Sequence, residues 1–509
     1  MSNARVSRRT FLKSQAAAAA AVAAGGARRA AAKRKPNVLF LWTDEQRADT
    51  MAAYGNAAIH TPNLNRLASE SIVFDKAYVS QPVCTPSRST VMTGLWPHTS
   101  GCTENNIALQ PDTPTVPELL DDPDYATGYF GKWHLGDEVF AQHGFQEWRS
   151  IEDMYRRYFR EDKDLSQKSS YWHWLRAKGY APDAGDGDFS RGFAAELPYA
   201  HSKPRFLELE TRDFLRRHRD EPFMLHVNFL EPHMPFFGPF DNEHGLDEVR
   251  LPGNFADPLE ADEPEGYRAR REEYLRKGWK DIPLDTEAGW RRLIANYWGL
   301  CHEVDKAVGG ILAELETLGL AGNTIIVYTS DHGDMMGSHQ LIAKGYTYEE
   351  AARVPWLMRI PGAAPCHVPN PVSHIDLVPT LLDALGARPA AGLPGRSLRP
   401  LLNGERAPEP VFFEWNPGGS LDKTRHNPGG TILKPGAPSG NAVRTIVTPD
   451  GWKLSLHTED HNQLYNLARD PGETENIFDE PAHRDRIRSL ANAIHAWQEG
   501  VDDQAPVEV

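Results

Sequence analysis

Residues 37–42 read Asn-Val-Leu-Phe-Leu-Trp, an apolar run without the polar alternation of a half-exposed strand. Such a run suits a strand covered on both faces. Similar runs follow at 125–133, 222–229, 323–330 and 354–361, and helical periodicity fills 290–320 and 375–385. Strands alternating with helices predict an α/β fold whose large, mainly parallel sheet is sandwiched by helices. In sheets of this kind the chemistry collects beyond the carboxyl ends of the strands. Here the first run breaks into Thr43-Asp44-Glu45-Gln46-Arg47 and the fourth into Asp331-His332-Gly333-Asp334.

At 509 residues the chain exceeds what one ordinary core organises, so a second, smaller unit is expected. From Val411 the pattern changes to short strands at 442–447 and 452–456, separated by the turn signal Thr448-Pro449-Asp450-Gly451, with a closing helix at 484–498. The expected division is a catalytic α/β domain over 36–410 and a smaller α+β subdomain over 411–509. Two stretches read as insertions: 140–205, rich in aromatic and charged residues, and 416–440, with two Asn-Pro-Gly-Gly units. Surface decoration is the plainer reading of each, and a lid or subsite wall the functional one.

Residues 1–32 resemble a twin-arginine export signal. Arg8-Arg9 precede Phe11-Leu12-Lys13, an alanine-rich stretch and a plausible Ala-x-Ala cleavage site. The expectation is a partnership with twin-arginine export machinery and a periplasmic or secreted location. No apolar run is long enough for a stable membrane anchor. The first 35 residues hold nine Lys or Arg and no acid, so losing them takes the formal charge from -15 to -24. A surface that acidic argues against nucleic acid as a partner and requires any anionic substrate to be drawn in by a local cluster of cations. The four cysteines, Cys84, Cys102, Cys301 and Cys366, lack zinc-ligand spacing, and their pairing stays open.

Cys84-Thr85-Pro86-Ser87-Arg88 places a thiol just ahead of a proline suited to the first turn of a helix. Backbone N–H groups and the positive end of the helix dipole favour an oxyanion there, and Arg88 adds a permanent cation one turn on. A lone cysteine in that position is more often inert. The full string through Thr93-Gly94, however, resembles the signature of the sulfatase family, within the alkaline-phosphatase-like superfamily. The resemblance extends to Tyr465-Asn466-Leu467 and Asp470-Pro471-Gly472 near the end of the chain.

That resemblance implies that a formylglycine-generating maturation enzyme converts Cys84 to formylglycine, whose hydrate attacks the sulfur of a sulfate ester. Adjacent carboxylates at two buried strand ends would repel one another without a cation. Asp44, Glu45, Asp331 and His332, together with residue 84, are therefore the expected metal ligands, for calcium with magnesium as the alternative. The family pattern has Asp-Asp where this chain has Asp44-Glu45, which makes Glu45 the departure. Lys132 and His134 in Gly131-Lys132-Trp133-His134, His233 in Glu231-Pro232-His233 and Lys344 in Ala343-Lys344-Gly345 match further family motifs. With Cys84 and Arg88 they form the expected catalytic set: lysines to meet sulfate oxygens, His134 to assist deprotonation at residue 84, and His233 or Lys344 to protonate the leaving alcohol. Asp334 and His339 are weaker candidates, and His60, His98, His302 and His374 read as structural.

The expected activity is hydrolysis of a sulfate monoester of a carbohydrate or small alcohol. One alternative is a phosphonate monoester or phosphodiester hydrolase of the same superfamily. Another is a non-catalytic protein that binds sulfated glycans.

Overall fold

The computed structural model describes residues 34–153, 163–164, 166–388, 390–416 and 441–509. The expected export signal and residues 417–440 of the second insertion lie outside the described residues. No described helix is long and apolar enough to cross a membrane.

Eight strands form the main sheet: β1 (Asn37–Asp44), β2 (Ile72–Tyr78), β3 (Ala126–Gly131), β4 (Glu147–Arg149), β5 (Phe223–Pro232), β6 (Thr324–Ser330), β7 (Arg353–Arg359) and β8 (Cys366–Ser373), in the order β4-β3-β5-β1-β6-β7-β2-β8. Only β7 runs against its neighbours, β6 and β2. The carboxyl ends of β1, β3, β5 and β6 therefore share one edge.

The apolar run of β1 divides by strand alternation. Leu39 and Leu41 face one layer and Val38, Phe40 and Trp42 the other. The first layer is closed by α1 (Pro62–Ser69), α3 (Lys203–Arg217) and α4 (Glu287–Thr317), through Leu207, Phe214, Val308 and Ile311 among others. The second is closed by α2 (Cys84–Thr93) and α5 (Leu377–Ala384), through Val91, Met92, Val378 and Leu381. The sandwich predicted from alternation is thus present.

Three strands escaped the periodicity reading. β2 carries Asp75-Lys76 at a break in its pairing, β4 spans three residues, and β8 is interrupted by Pro369 and Pro371. All three lie toward the sheet's margins, where a strand need not be apolar throughout.

The C-terminal portion forms a four-stranded antiparallel sheet, ordered β12-β11-β10-β9, from β9 (Val411–Trp415), β10 (Val443–Val447), β11 (Trp452–His457) and β12 (Gln463–Asn466). Helix α6 (Arg484–Val501) packs Ile487, Leu490 and Ile494 against it. The predicted turn joins β10 to β11, with Gly451 at φ 87° and its N–H donating to Thr448 O.

Candidate active site

Helix α2 starts at Cys84 and is buried along all ten residues. Pro86 falls in its first turn, as the sequence suggested, and Gly94 ends it in the left-handed conformation (φ 73°) with its N–H on Thr90 O. Burying this mostly polar helix is tolerable because most of its polar side chains, Ser87 excepted, find partners among the described residues. Thr85 Oγ1 donates to His134 O, Ser89 Oγ to Pro86 O, and Thr90 Oγ1 to Leu95 O.

Arg88 has no exposure and binds groups from four strand ends. Its Nη2 lies 2.8 Å from Asp44 Oδ2, its Nε 2.8 Å from Asp331 Oδ2, and its Nη1 donates to Lys132 O and Asn228 Oδ1 at 2.9 and 3.0 Å. The guanidinium also lies 4.8 Å from the Trp42 ring centroid. Lys132 Nζ adds a second cation at Asp44 Oδ2. Burial opposes the Asp44 carboxylate, but Lys132, His233, Arg88 and His332 outweigh it and hold its pKa well below the usual range.

These contacts occupy the outer oxygens of Asp44 and Asp331 and turn their Oδ1 atoms inward. Each Oδ1 lies 3.6 Å from His332 Nε2, which is 3.2 Å from Cys84 Sγ. Asp44, Cys84, Asp331 and His332, all buried, bring one ligand atom apiece within 4.8 Å of the others. His332 Nδ1 donates to Gly333 O at 2.8 Å, which directs Nε2 into the group, as ligating histidines are usually oriented. Burial lowers the His332 pKa, yet Asp331 and Cys84 raise it to about 10. The pull that favours a proton on this ring also favours a cation. Two carboxylates, one imidazole and the atom at residue 84 therefore fit a divalent ion that accepts oxygen ligands.

Glu45 follows at the end of β1 with φ 70°, and this left-handed turn separates its side chain from that of Asp44. Its N–H donates to Asp331 Oδ1, while its Oε2 meets Lys344 Nζ at 2.7 Å and His233 Nε2 at 3.4 Å. Glu45 stands with Asp44 and His233 in a second grouping, outside the set built on residue 84. Its Oε1 has no hydrogen-bond partner among the described residues, nor has Asp334 Oδ2, and both are buried. Burial raises the Glu45 pKa against the pull of Lys344.

His134 stands at φ 57° in the loop after β3. Gly131 makes that loop feasible: at φ 118°, a Cβ there would lie 1.8 Å from Asn228 O. Glu138 clamps the loop by accepting the N–H groups of Trp133 and His134 at 2.9 and 2.6 Å. The His134 ring meets Asn106 Oδ1 through Nε2 at 2.9 Å. Burial, then Lys132 and Arg88, hold His134 well below the ordinary histidine range, so it is neutral near pH 7. Burial opposes ionisation of the Cys84 thiol, as does Asp44, but Lys344, Lys132 and His332 lower its pKa overall.

A sulfatase family model matches residues 36–387, more than half of the chain. The chain belongs to the sulfatase family. It is accordingly a sulfuric ester hydrolase. The uncharacterized sulfatase YidJ of Escherichia coli is 29% identical over 477 residues, covering 92% of this chain and 88% of its own length. An N-acetylglucosamine-6-O-sulfatase of Bacteroides thetaiotaomicron is 26% identical over 524 residues, covering 93% and 88%. Among solved structures, a phosphonate monoester hydrolase from Silicibacter pomeroyi shares the fold at a TM-score of 0.75 and 24% identity, covering 92% of this chain and 96% of that one.

The sulfatase brings the expected catalytic set and metal ligands to one strand edge, although they span residues 44 to 344 of the sequence. Asp44, Cys84, Arg88, Lys132, Asp331 and His332 form the buried centre, and Glu45, Lys344 and His233 a second contact group beside it. Asp334 accepts from Met336 N and Ala343 N and also faces Glu45, whose ionisation it opposes. His339 pairs with Asp257 and stacks on Tyr348 instead of joining the residue-84 set. His374 is buried and bonds Thr329, in line with a structural role. His98 pairs with Glu414, and His60 and His302 cluster with Glu243. All four cysteines are free thiols.

Sequence reading missed Asn106, Asn228 and Glu138, which orient His134, Arg88 and the loop after β3. Asn228 carried a usable signal, being an amide within the apolar run of β5. Asn106 and Glu138 carried none, since polar loop residues are common.

Proposed function

We propose that this sulfatase hydrolyses a sulfate monoester of a carbohydrate or another small alcohol, using formylglycine formed from Cys84. The observation that carries the reading is the buried meeting of residue 84 with Asp44, Asp331, His332 and Arg88 at the start of α2. Asp44, Asp331 and His332 would hold calcium, with magnesium the alternative. The ion would supply positive charge to a sulfate oxygen and to residue 84, and formylglycine would supply the attacking oxygen.

The chain's own groups do the rest. Arg88 fixes the two aspartates, and Lys132 and Lys344 oppose charge building on the sulfate oxygens. Because Asn106 Oδ1 accepts from His134 Nε2–H, Nδ1 is the ring's basic nitrogen and would take a proton during attack from residue 84. His233 donates Nδ1–H to Met234 O and turns Nε2 toward Glu45. With its proton on Nδ1 and its pKa held well below the ordinary histidine range by burial, His233 presents Nε2 as an acceptor, so of the two candidates Lys344, whose ammonium pairs with Glu45, would supply the proton to the leaving oxygen. A carbohydrate alcohol is supported by the likeness to the Bacteroides N-acetylglucosamine-6-O-sulfatase.

Peptide mass spectrometry of natively exported, active enzyme tests the conversion. An aldehyde at residue 84 is expected, and an unaltered thiol in active protein would sink the mechanism. Parallel turnover of a sulfate monoester and a phosphodiester tests the reaction class, and faster phosphodiester cleavage would favour the phosphonate-type alternative. Residues 1–32 support twin-arginine export to the periplasm. Cell fractionation of Arg8→Lys/Arg9→Lys should then find the enzyme retained inside the cell, and unchanged export would overturn this location.

A further inference from the structure

A narrow cavity lies against His233, on the flank formed by the 140–205 stretch and α4. Its wall includes Arg191, Ser202, Lys203, Glu231, His233 and Glu303, and it has room for one water-sized group. Arg191 belongs to the short helix Arg191–Ala195, Glu231 is the penultimate residue of β5, two before His233, and Glu303 comes from α4. The stretch read as surface decoration is thus part of a wall shared with the catalytic centre. Arg191 acts electrostatically on both His134 and His233.

The polar groups in this wall are unequally paired. Arg191 grips Glu152 through two nitrogens at 2.7 and 2.6 Å, and Lys203 Nζ reaches the same carboxylate at 2.9 Å. Two cations are therefore spent on one carboxylate that does not itself line the cavity. Glu231 and Glu303 remain; burial raises both their pKa values, Glu231's to about 7, and the Glu231 charge adds to the rise at Glu303, so the pair takes its full negative charge only when a cation joins it. Glu303 is 2% exposed. Its Oε1 and Glu231 Oε2 are buried without a hydrogen-bond partner among the described residues. Both residues line the cavity, and a Cβ on Gly238 would come within 3.6 Å of Glu303 Oε2. Unpaired buried acceptors are costly, and so is an uncompensated buried charge. A single small cation that donates hydrogen bonds meets both demands. A primary ammonium has that charge, those donors and that size, whereas a second sulfate or carboxylate would face two carboxylates.

We propose that this cavity is a subsite for the alcohol part of the sulfate ester, and that it selects an alcohol bearing a free primary amine, held by Glu231 and Glu303. The proposal rests on the sulfatase reading above and deepens it.

The test measures kcat/KM for paired esters that differ only in amine against hydroxyl: glucosamine 6-sulfate with glucose 6-sulfate, galactosamine 6-sulfate with galactose 6-sulfate, and 2-aminoethyl sulfate with 2-hydroxyethyl sulfate. At least one pair should favour the amine by about tenfold or more, the size of effect expected from a charged hydrogen bond. N-acetylation of that amine should remove the preference. Glu303→Gln should shrink the amine-to-hydroxyl ratio, and Glu231→Gln supplies the same test if the first variant does not fold. Pairs that stay within twofold, a preference for the hydroxyl partner, or a ratio unmoved in both folded variants would overturn the subsite. Hydrolysis of 4-nitrophenyl sulfate separates the two readings. If it proceeds while no amine preference exists, only the subsite fails; if no sulfate ester turns over, the function proposed above falls with it.

Discussion

Two neighbouring pockets treat buried charge in opposite ways. Around residue 84, Arg88 and Lys132 stand as counter-ions at the outer oxygens of Asp44 and Asp331, so the inner atoms are aimed by groups that are themselves fixed. Beyond His233, Arg191 and Lys203 are both consumed by Glu152, which leaves Glu231 and Glu303 with acceptors to spare. The lesson is that charge density alone does not mark the part of a site that chooses a ligand. What matters is which atoms the protein has already paired. The first arrangement suits chemistry common to a family, and the second suits choice among alcohols.

The contrast can be broken in several ways. Cys84→Ala removes the proposed nucleophile and should lower kcat by about 10⁴-fold or more, on the scale seen when other enzymes lose theirs. Single-turnover assays would show it, and residual turnover near wild type would refute the role of residue 84. Lys344→Ala leaves the buried centre intact but removes the cation paired with Glu45, so a loss in kcat of about 10²- to 10³-fold is expected. A rise in KM alone would make Lys344 a binding residue only.

Arg88→Met tests the self-satisfied pocket through stability. It leaves Asp44 and Asp331 without their shared partner, and urea unfolding should report a loss of about 3–5 kcal/mol. A loss below about 1 kcal/mol, typical of an exposed pair, would show that Arg88 is not what holds the carboxylates. Chelation followed by metal add-back should abolish and restore activity, with calcium more effective than magnesium. Activity indifferent to chelation would remove the ion from the mechanism.

The smallest effect concerns a contact far from either pocket. His98 joins the main domain to Glu414 of β9 and to Val501 O. Burial lowers the His98 pKa, but Glu414 outweighs it and raises the pKa above the ordinary value. The stabilisation is therefore complete below the ordinary histidine pKa and fades as pH rises through the elevated one. Thermal melts of wild type and His98→Asn should differ near pH 6 and converge toward pH 9, and a constant difference would show that the His98 charge is not involved.

Much of the residue-84 centre was legible because its parts are short phrases at the ends of buried strands. An apolar run followed by Asp44-Glu45, or by Asp331-His332, marks both a strand and its reactive mouth. Glu45 shows what adjacency leaves open. It stands with Asp44 and His233 in a second candidate ligand group, and the left-handed turn at φ 70° sets its carboxylate against Lys344 and His233. β2 and β8 were missed because pattern reading detects strands covered on both faces more readily than those nearer the sheet's margin.

From its order of residues alone, this chain determined its α/β class, the strand ends that carry chemistry, and the helix that begins at Cys84. Burial on both faces and short helix-start motifs are local demands, written in contiguous residues. Tertiary structure alone decided which carboxylate oxygens were spent on cations and which were left over, and that Arg191, Glu231 and Glu303 would border one cavity. Pairing between buried charges depends on distances across the fold, and no spacing along a chain encodes them.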